Sequence, residues 1–292
     1  MEVIMNRVKG GGDPTQGELR LDIAKLLRHG GGLLIGIAAL VWGDARIVLL
    51  ALAVSGWPAM ALGVVAVHRL LIHRSFEVPL WLERLMLLGA SLSGMGGPLT
   101  LIRVHDVREW AQLSQRCANY FSHGAGPWRD AWEQLFCRFE LRQPPGLILT
   151  EENDAFLRFL ERYWLALQVP LGGVLWLAGS WSAVAGGVCL KLFVLPFMHW
   201  LFAWQIHRRG AAPHQVPGAA VQGRNLGLIA ALITLGESYH NRHHHFPASP
   251  RNSSAAGEID LSWLLIRQMI RCGLARESPR PQFTPSAALP PG

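Results

Sequence analysis

Twenty-one consecutive residues, 47–67, carry no charge, and the run stops directly on His68. A helix of that length crosses the roughly 30 Å hydrocarbon layer of a bilayer. A chain that enters lipid this way must satisfy its backbone within helices there. Composition agrees with a membrane protein: 16% of the 292 residues are charged, against about 25% in soluble chains. The length allows one or two domains. The four cysteines, Cys117, Cys137, Cys189 and Cys272, are widely spaced and form no CxxC pair. That excludes a disulfide scaffold and disfavours a thiolate zinc site, leaving them as small apolar filler.

The net charge is +7, and only Lys9, Lys25 and Lys191 among the cations are lysine. The arginines are spread thinly between apolar runs rather than clustered with aromatics, so no nucleic-acid partner is expected. They fit the flanks of membrane segments. Residues 31–42 form an apolar run that is short for a span unless it continues past Asp44; with 47–67 it makes a helical hairpin. Residues 163–181 and 182–206 make a second hairpin, turning near Gly179–Ser182. Residues 78–101 are apolar but carry Glu83, Arg84 and several glycines, which fits a short, partly inserted segment. The hairpin tips carry only Asp44 and Arg46, so the positive charge gathers on one side. The positive-inside rule makes that side cytoplasmic, with both termini and the long middle segment there.

The expected architecture is an all-α membrane protein of four spans in two hairpins, with a cytosolic helical cap. Its expected parts are a cytosolic tail and interfacial helix over 1–30, a membrane domain with its cap over 31–275, and a disordered tail over 276–292. Within the first part, residues 1–16, with Gly10-Gly11-Gly12, read as flexible; they lack the apolar core of a secretory signal. Leu19, Ile23, Leu26 and Leu27 have the spacing of a helix over 17–28, lying on the bilayer or on the protein surface.

The twelve histidines fall into groups. His68 and His73 close the second apolar run in HRLLIHRSF; His105 follows in the polar segment. His199 and His207 flank the end of the last span, and His240, His243 and His244 crowd GESYHNRHHHFP. Topology gathers these groups on one face, although they are far apart in sequence. Neutral imidazole ligates several transition metals, and residues three or four apart on a helix share a face. A convergent set of this size reads as a metal centre.

HRLLIHRSF with GESYHNRHHHFP resembles the integral-membrane fatty acid desaturase family, near its acyl-CoA desaturase branch. The resemblance covers roughly residues 31–250 and rests on an HxxxxH box, an HNxHH box and WLFAWQIHRRG, which aligns His207 with a further family ligand. Ala203 stands where the family often has Asn, and His199, a turn further back, is an alternative donor. The middle HxxHH box departs from the pattern: from His105, it has Arg108 and Glu109 at the two later histidine positions. Arg108 has no lone pair to give. Glu109 is either an oxygen ligand or a partner of Arg108 on a solvated face.

The resemblance implies metal ligation by His68, His73, His105, His207, His240, His243 and His244, with Glu109 and His199 as further candidates. It implies two iron ions, O2 as co-substrate and desaturation of a fatty acyl chain carried on CoA, a carrier protein or a lipid. Abstracting hydrogen from a saturated chain needs an oxidant that acid–base side chains do not supply, so the cofactor carries that step. An electron donor such as a ferredoxin or a cytochrome b5-like protein is implied, steered by a basic cytoplasmic face. The bacterial inner membrane is the expected location. The altered middle box leaves room for a related hydroxylase, a single-metal oxidase or a non-catalytic relative.

Overall fold

The computed structural model describes residues 7–9, 11–255 and 257–278. The chain opens with strands β1 (Val8–Lys9) and β2 (Asp13–Leu21), then enters helix α1 (Ile23–Trp42). The flexible tail and the helix over 17–28 are thus corrected. Glu18, Leu19, Arg20 and Leu21 alternate in character, the period of a strand, and β2 pairs antiparallel with β4 (Cys137–Gln143), Leu19 opposite Phe139. The helical register begins only after Asp22, whose side chain accepts from the Lys25 N–H at 3.0 Å. Arg7 is buried at the front of the chain. It ion-pairs with Glu151 at 2.6 Å and Asp106 at 3.4 Å, and donates to the carbonyls of Leu71 and Ile72. An alternating segment followed by a cap was visible in the sequence; the partner strand 120 residues away was not.

The first apolar run also differs from expectation in how it reaches spanning length. It does not continue past Asp44, whose carboxylate accepts from the Arg46 and Ile47 N–H groups and starts helix α2 (Ala45–Ile72). Instead α1 grows backward through 23–30 to 20 residues. Strand β3 (Phe76–Glu77) leads to α3 (Leu80–Ser91) and α4 (Pro98–Leu113). The turn between α3 and α4 touches the last apolar helix, where Lys191 donates to the Leu92 carbonyl at 2.6 Å. The first turn of α4 is capped from a distance, since the Glu161 carboxylate accepts from the Leu99 and Thr100 N–H groups.

The polar middle of the chain folds as α5 (Asn119–Ser122), α6 (Pro127–Phe136), β4, β5 (Gly146–Leu147) and α7 (Ala155–Tyr163). The third long apolar helix, α8, runs Gln168–Ile206. It is broken at Gly179 and Ser180, where Ser180 takes φ 64°. Beyond the break the chain folds back: Gly172 faces Val184 and Val188, and Leu175 meets Gly187. Two glycines allow close helix contact. A Cβ on Gly186 would collide with the Val48 carbonyl of α2, and one on Gly32 with the Cys189 carbonyl. The chain ends in short α9 (Leu228–Ile233), α10 (His240–His245), α11 (Leu261–Arg271) and β6 (Arg276–Glu277).

Among the described residues the fold is mostly helical, with three helices long and apolar enough to cross a membrane. The all-helical expectation is corrected by three two-stranded ladders among the described residues, β1–β5, β2–β4 and β3–β6. They staple distant parts of the polar region together. Of the expected disordered tail, Arg276–Glu277 pairs with Phe76–Glu77; residues from 279 onward, like 1–6, lie outside the described residues. A buried core including Leu71, Phe76, Leu87, Ile102, Leu160 and Ile266 joins the end of α2 to α3, α4, α7 and α11. All four cysteines are free.

Candidate metal centre

The end of α2 explains the HxxxxH spacing. Residues Gly63–Ile72 are wound in π register, and the His73 N–H donates to the His68 carbonyl at 3.0 Å. The i→i+5 bond marks a turn wider than the roughly 3.6 residues of an α-helix, which brings rings five residues apart toward the same side. His73 Nε2 lies 3.2 Å from His68 Nε2 and 3.2 Å from His105 Nε2 on α4. His243 of α10 closes the group, its ring centroid 4.5 Å from that of His73. One nitrogen of each of His68, His73, His105 and His243 falls within 4.8 Å of all the others.

A second group forms beside it. His207, at the end of α8, meets His240 and His244 of α10, again with all three donor atoms within 4.8 Å. His240 Nε2 and His244 Nε2 are 2.9 Å apart. The short helix α10 thus divides its histidines between the two groups: His243 points to the first, and His240 and His244 to the second. All seven principal candidates are drawn into clusters, from helices α2, α4, α8 and α10 and their ends.

The two weaker candidates stay outside. His199 is exposed and belongs to neither cluster. Glu109 is buried, and its Oε2 lies 3.8 Å from His105 Nδ1, the ring nitrogen opposite the one that meets His73. That oxygen has no hydrogen-bond partner. Arg108 turns away into its own surroundings, donating to Gln134 Oε1 at 2.6 Å and approaching His123 Nε2 at 3.1 Å. Glu109 and Arg108 make no ion pair with each other, and neither lies on a solvated face.

Behind the first group stands a charged framework. Glu237 Oε2 accepts from His68 Nδ1 at 2.7 Å, and Asp106 Oδ1 lies 3.2 Å from His105 Nδ1. Glu237 is fixed in turn by Arg69, whose buried guanidinium also pairs with Asp260 at 3.0 Å. Carboxylates behind imidazoles fix the ring tautomer and aim the other nitrogen forward. Sequence reading missed Glu237, Arg69, Asp260 and His123. Arg69 and Glu237 lie inside the two histidine motifs and were open to notice; nothing local marks Asp260 or His123.

Burial, then the neighbouring imidazoles, push His73, His240 and His243 well below the ordinary histidine value. His207 is lowered in the same way, with burial first and then His123 and His244. These rings are neutral at physiological pH, and a neutral ring keeps a lone pair for a metal. The donor set is nitrogen-rich and contains no thiolate, which suits iron, zinc, copper or nickel. His207 Nε2 is buried without a partner while its Nδ1 approaches the Ala203 carbonyl at 2.7 Å. A lone pair left free on the side facing two other imidazoles is what a metal ligand requires.

Long apolar helices that end in two convergent imidazole clusters define a histidine-ligated, membrane-associated metalloprotein. No family model matches the chain. It is 30% identical over 217 residues to an sn-2 palmitoyl-lipid 9-desaturase of Nostoc sp. (strain 36), spanning 72% of this chain and 73% of the relative. It is 27% identical to an sn-1 stearoyl-lipid 9-desaturase of Anabaena variabilis, over 80% of this chain and 83% of the relative. Delta-9 acyl-lipid desaturase 1 of Arabidopsis thaliana is 28% identical over 81% of this chain and 75% of its own length. The chain belongs to the fatty acid desaturase family.

Proposed function

We propose that this protein desaturates a fatty acyl chain, in an oxygen-dependent reaction, at a metal centre held by His68, His73, His105 and His243 on one side and His207, His240 and His244 on the other. The observation that carries the reading is the convergence of these seven rings into two adjacent clusters, in a chain of this family. Two iron ions are the proposed occupants. Bound iron would supply, with O2, the oxidising power that a saturated C–H bond demands. The protein's part is positional. Burial keeps His73, His207, His240 and His243 neutral, Glu237 and Asp106 hold His68 and His105 from behind, and the long apolar helices give a lipid-like substrate a water-poor approach. Glu109, behind His105, adds negative charge to the first cluster. The names of the relatives favour an acyl group linked to lipid.

The break at Gly179–Ser180 and the fold-back after it favour dividing α8 into two spans, giving four spans with both termini cytoplasmic. In this arrangement residues 31–275 form one membrane domain with its cap, in the bacterial inner membrane. A ferredoxin or cytochrome b5-like donor would approach the arginine-rich cytoplasmic face. The test is expression in a host with a simple lipid profile, followed by fatty-acid analysis. New monounsaturated acyl chains are expected; an unchanged profile from inserted, iron-loaded protein would overturn the proposal.

A further inference from the structure

We infer that the two histidine clusters are inequivalent: the His68–His73–His105–His243 cluster is a tight metal site, and the His207–His240–His244 cluster is a labile one. The inference rests on the metal-centre reading above and goes beyond it, because it concerns the residues that this chain places around each cluster.

The first difference is the number of donors, four imidazoles against three. The second lies behind the ligands. In the first cluster His68 Nδ1 has Glu237 at 2.7 Å, and His105 Nδ1 has Asp106 at 3.2 Å with Glu109 at 3.8 Å. In the second cluster His207 Nδ1 has only a backbone carbonyl, and the Nδ1 atoms of His240 and His244 are buried with no partner. A ligand imidazole without an outer partner is poorly oriented and less basic.

The third difference is charge. Arg108 occupies a histidine position of the altered middle box, and its guanidinium is held against His123 at 3.1 Å. The His123 ring stacks on His207, with centroids 5.5 Å apart and planes 16° apart, and Asp130 holds its far nitrogen at 2.9 Å. The Arg108 cation therefore stands one ring away from the three-histidine cluster, as does the Asp130 carboxylate on the other nitrogen of that ring. The carboxylates of Glu237, Asp106 and Glu109 lie directly against rings of the four-histidine cluster, and Glu109 also acts on His244. A divalent cation is therefore attracted more strongly to the four-histidine cluster, with carboxylates against its rings, than to the three-histidine cluster, where Arg108 and Asp130 offset one another.

Each missing outer partner lowers metal affinity about 10- to 100-fold. The four-histidine cluster has outer carboxylates at two rings, His68 and His105, and the three-histidine cluster one backbone carbonyl, at His207; one more outer partner separates the clusters by roughly 10-fold or more, before the missing donor is counted. The test uses the full chain in detergent, loaded anaerobically with Fe(II) or with Co(II), then equilibrated against a graded chelator series. Metal per chain is read by elemental analysis, and the Co(II) ligand-field spectrum reports the coordination left behind. One equivalent should leave at chelator concentrations about 10-fold or more below those that remove the other. His207→Ala should keep the tight equivalent, and His243→Ala should lose it. Arg108→His, which adds an imidazole and removes the charge, should narrow the gap; Arg108→Gln should narrow it less. Two equivalents that leave together would overturn the inference. So would a tight equivalent lost in His207→Ala but kept in His243→Ala, or a gap unchanged by Arg108→His. A native chain that holds no metal at all would overturn the metal-centre reading itself.

Discussion

Glu237→Gln removes one negative charge from the framework behind His68 and keeps the shape of the side chain. The native carboxylate serves two faces: Oε2 accepts from His68, and Oε1 accepts from Arg69 Nε at 3.0 Å and Nη2 at 2.7 Å. An amide has a single acceptor oxygen, so glutamine satisfies one face and turns donors toward the other. Burial alone would raise the Glu237 carboxyl, but His68 and Arg69, both paired with and hydrogen-bonded to it, outweigh burial and lower the carboxyl from 4.5 to about 2. A carboxyl held that far down contributes about 3 kcal/mol at neutral pH. Breaking a buried pair from one side costs a similar 3–5 kcal/mol or so. For a chain of this size the variant should melt about 6 °C lower at pH 7.

The sign follows from the depressed value. The contribution is fully present above about pH 4.5, the carboxyl's ordinary value, and is lost as pH falls toward 2. The melting difference between native and Glu237→Gln protein should therefore be constant from pH 7 to 5 and shrink below 4.5. Thermal unfolding of both proteins in the same detergent, across that pH series, measures it. A variant as stable as the native protein at pH 7, or a difference that persists unchanged into acid, would refute the reasoning.

Three further outcomes follow from the same geometry. His243→Ala and His244→Ala, one in each cluster, should each abolish desaturation while membrane insertion is kept; fatty-acid profiles and membrane fractionation test this, and activity in either variant would move the site elsewhere. Arg7→Ala should leave Glu151 and Asp106 without their buried cation, at a cost of about 3–5 kcal/mol, and release β1 from β5, so that trypsin cuts after Lys9 faster than in the native chain. In cells, Asp44→Cys and Ser180→Cys should react with an impermeant maleimide from the outer side, whereas a cysteine placed at Gln143 should not; labelling of Gln143→Cys from outside would invert the proposed topology.

Hydrophobic runs are legible in one dimension because lipid acts on every residue of a span alike. The uncharged run at 47–67, the break near Gly179 and the histidine motifs could be read directly from the chain. The sequence by itself therefore determined that this protein is a membrane-associated helical one with a histidine-rich site. It also supplied all seven rings that converge. Pairings between distant segments have no such local signature. The strand at Asp13–Leu21 exists because β4 offers it a ladder, and Arg7 is buried because Asp106 and Glu151 lie where it lands. Only the tertiary structure decided how the seven rings divide, since α10 sends neighbours in sequence to different clusters. It alone also set what stands behind each ring: carboxylates at His68 and His105, bare nitrogens at His240 and His244, and Arg108 beside the ring that stacks on His207. Ligand identity is a property of residue type and spacing, but the charge a ligand feels depends also on packing between segments far apart in sequence, as Glu237 against His68 shows.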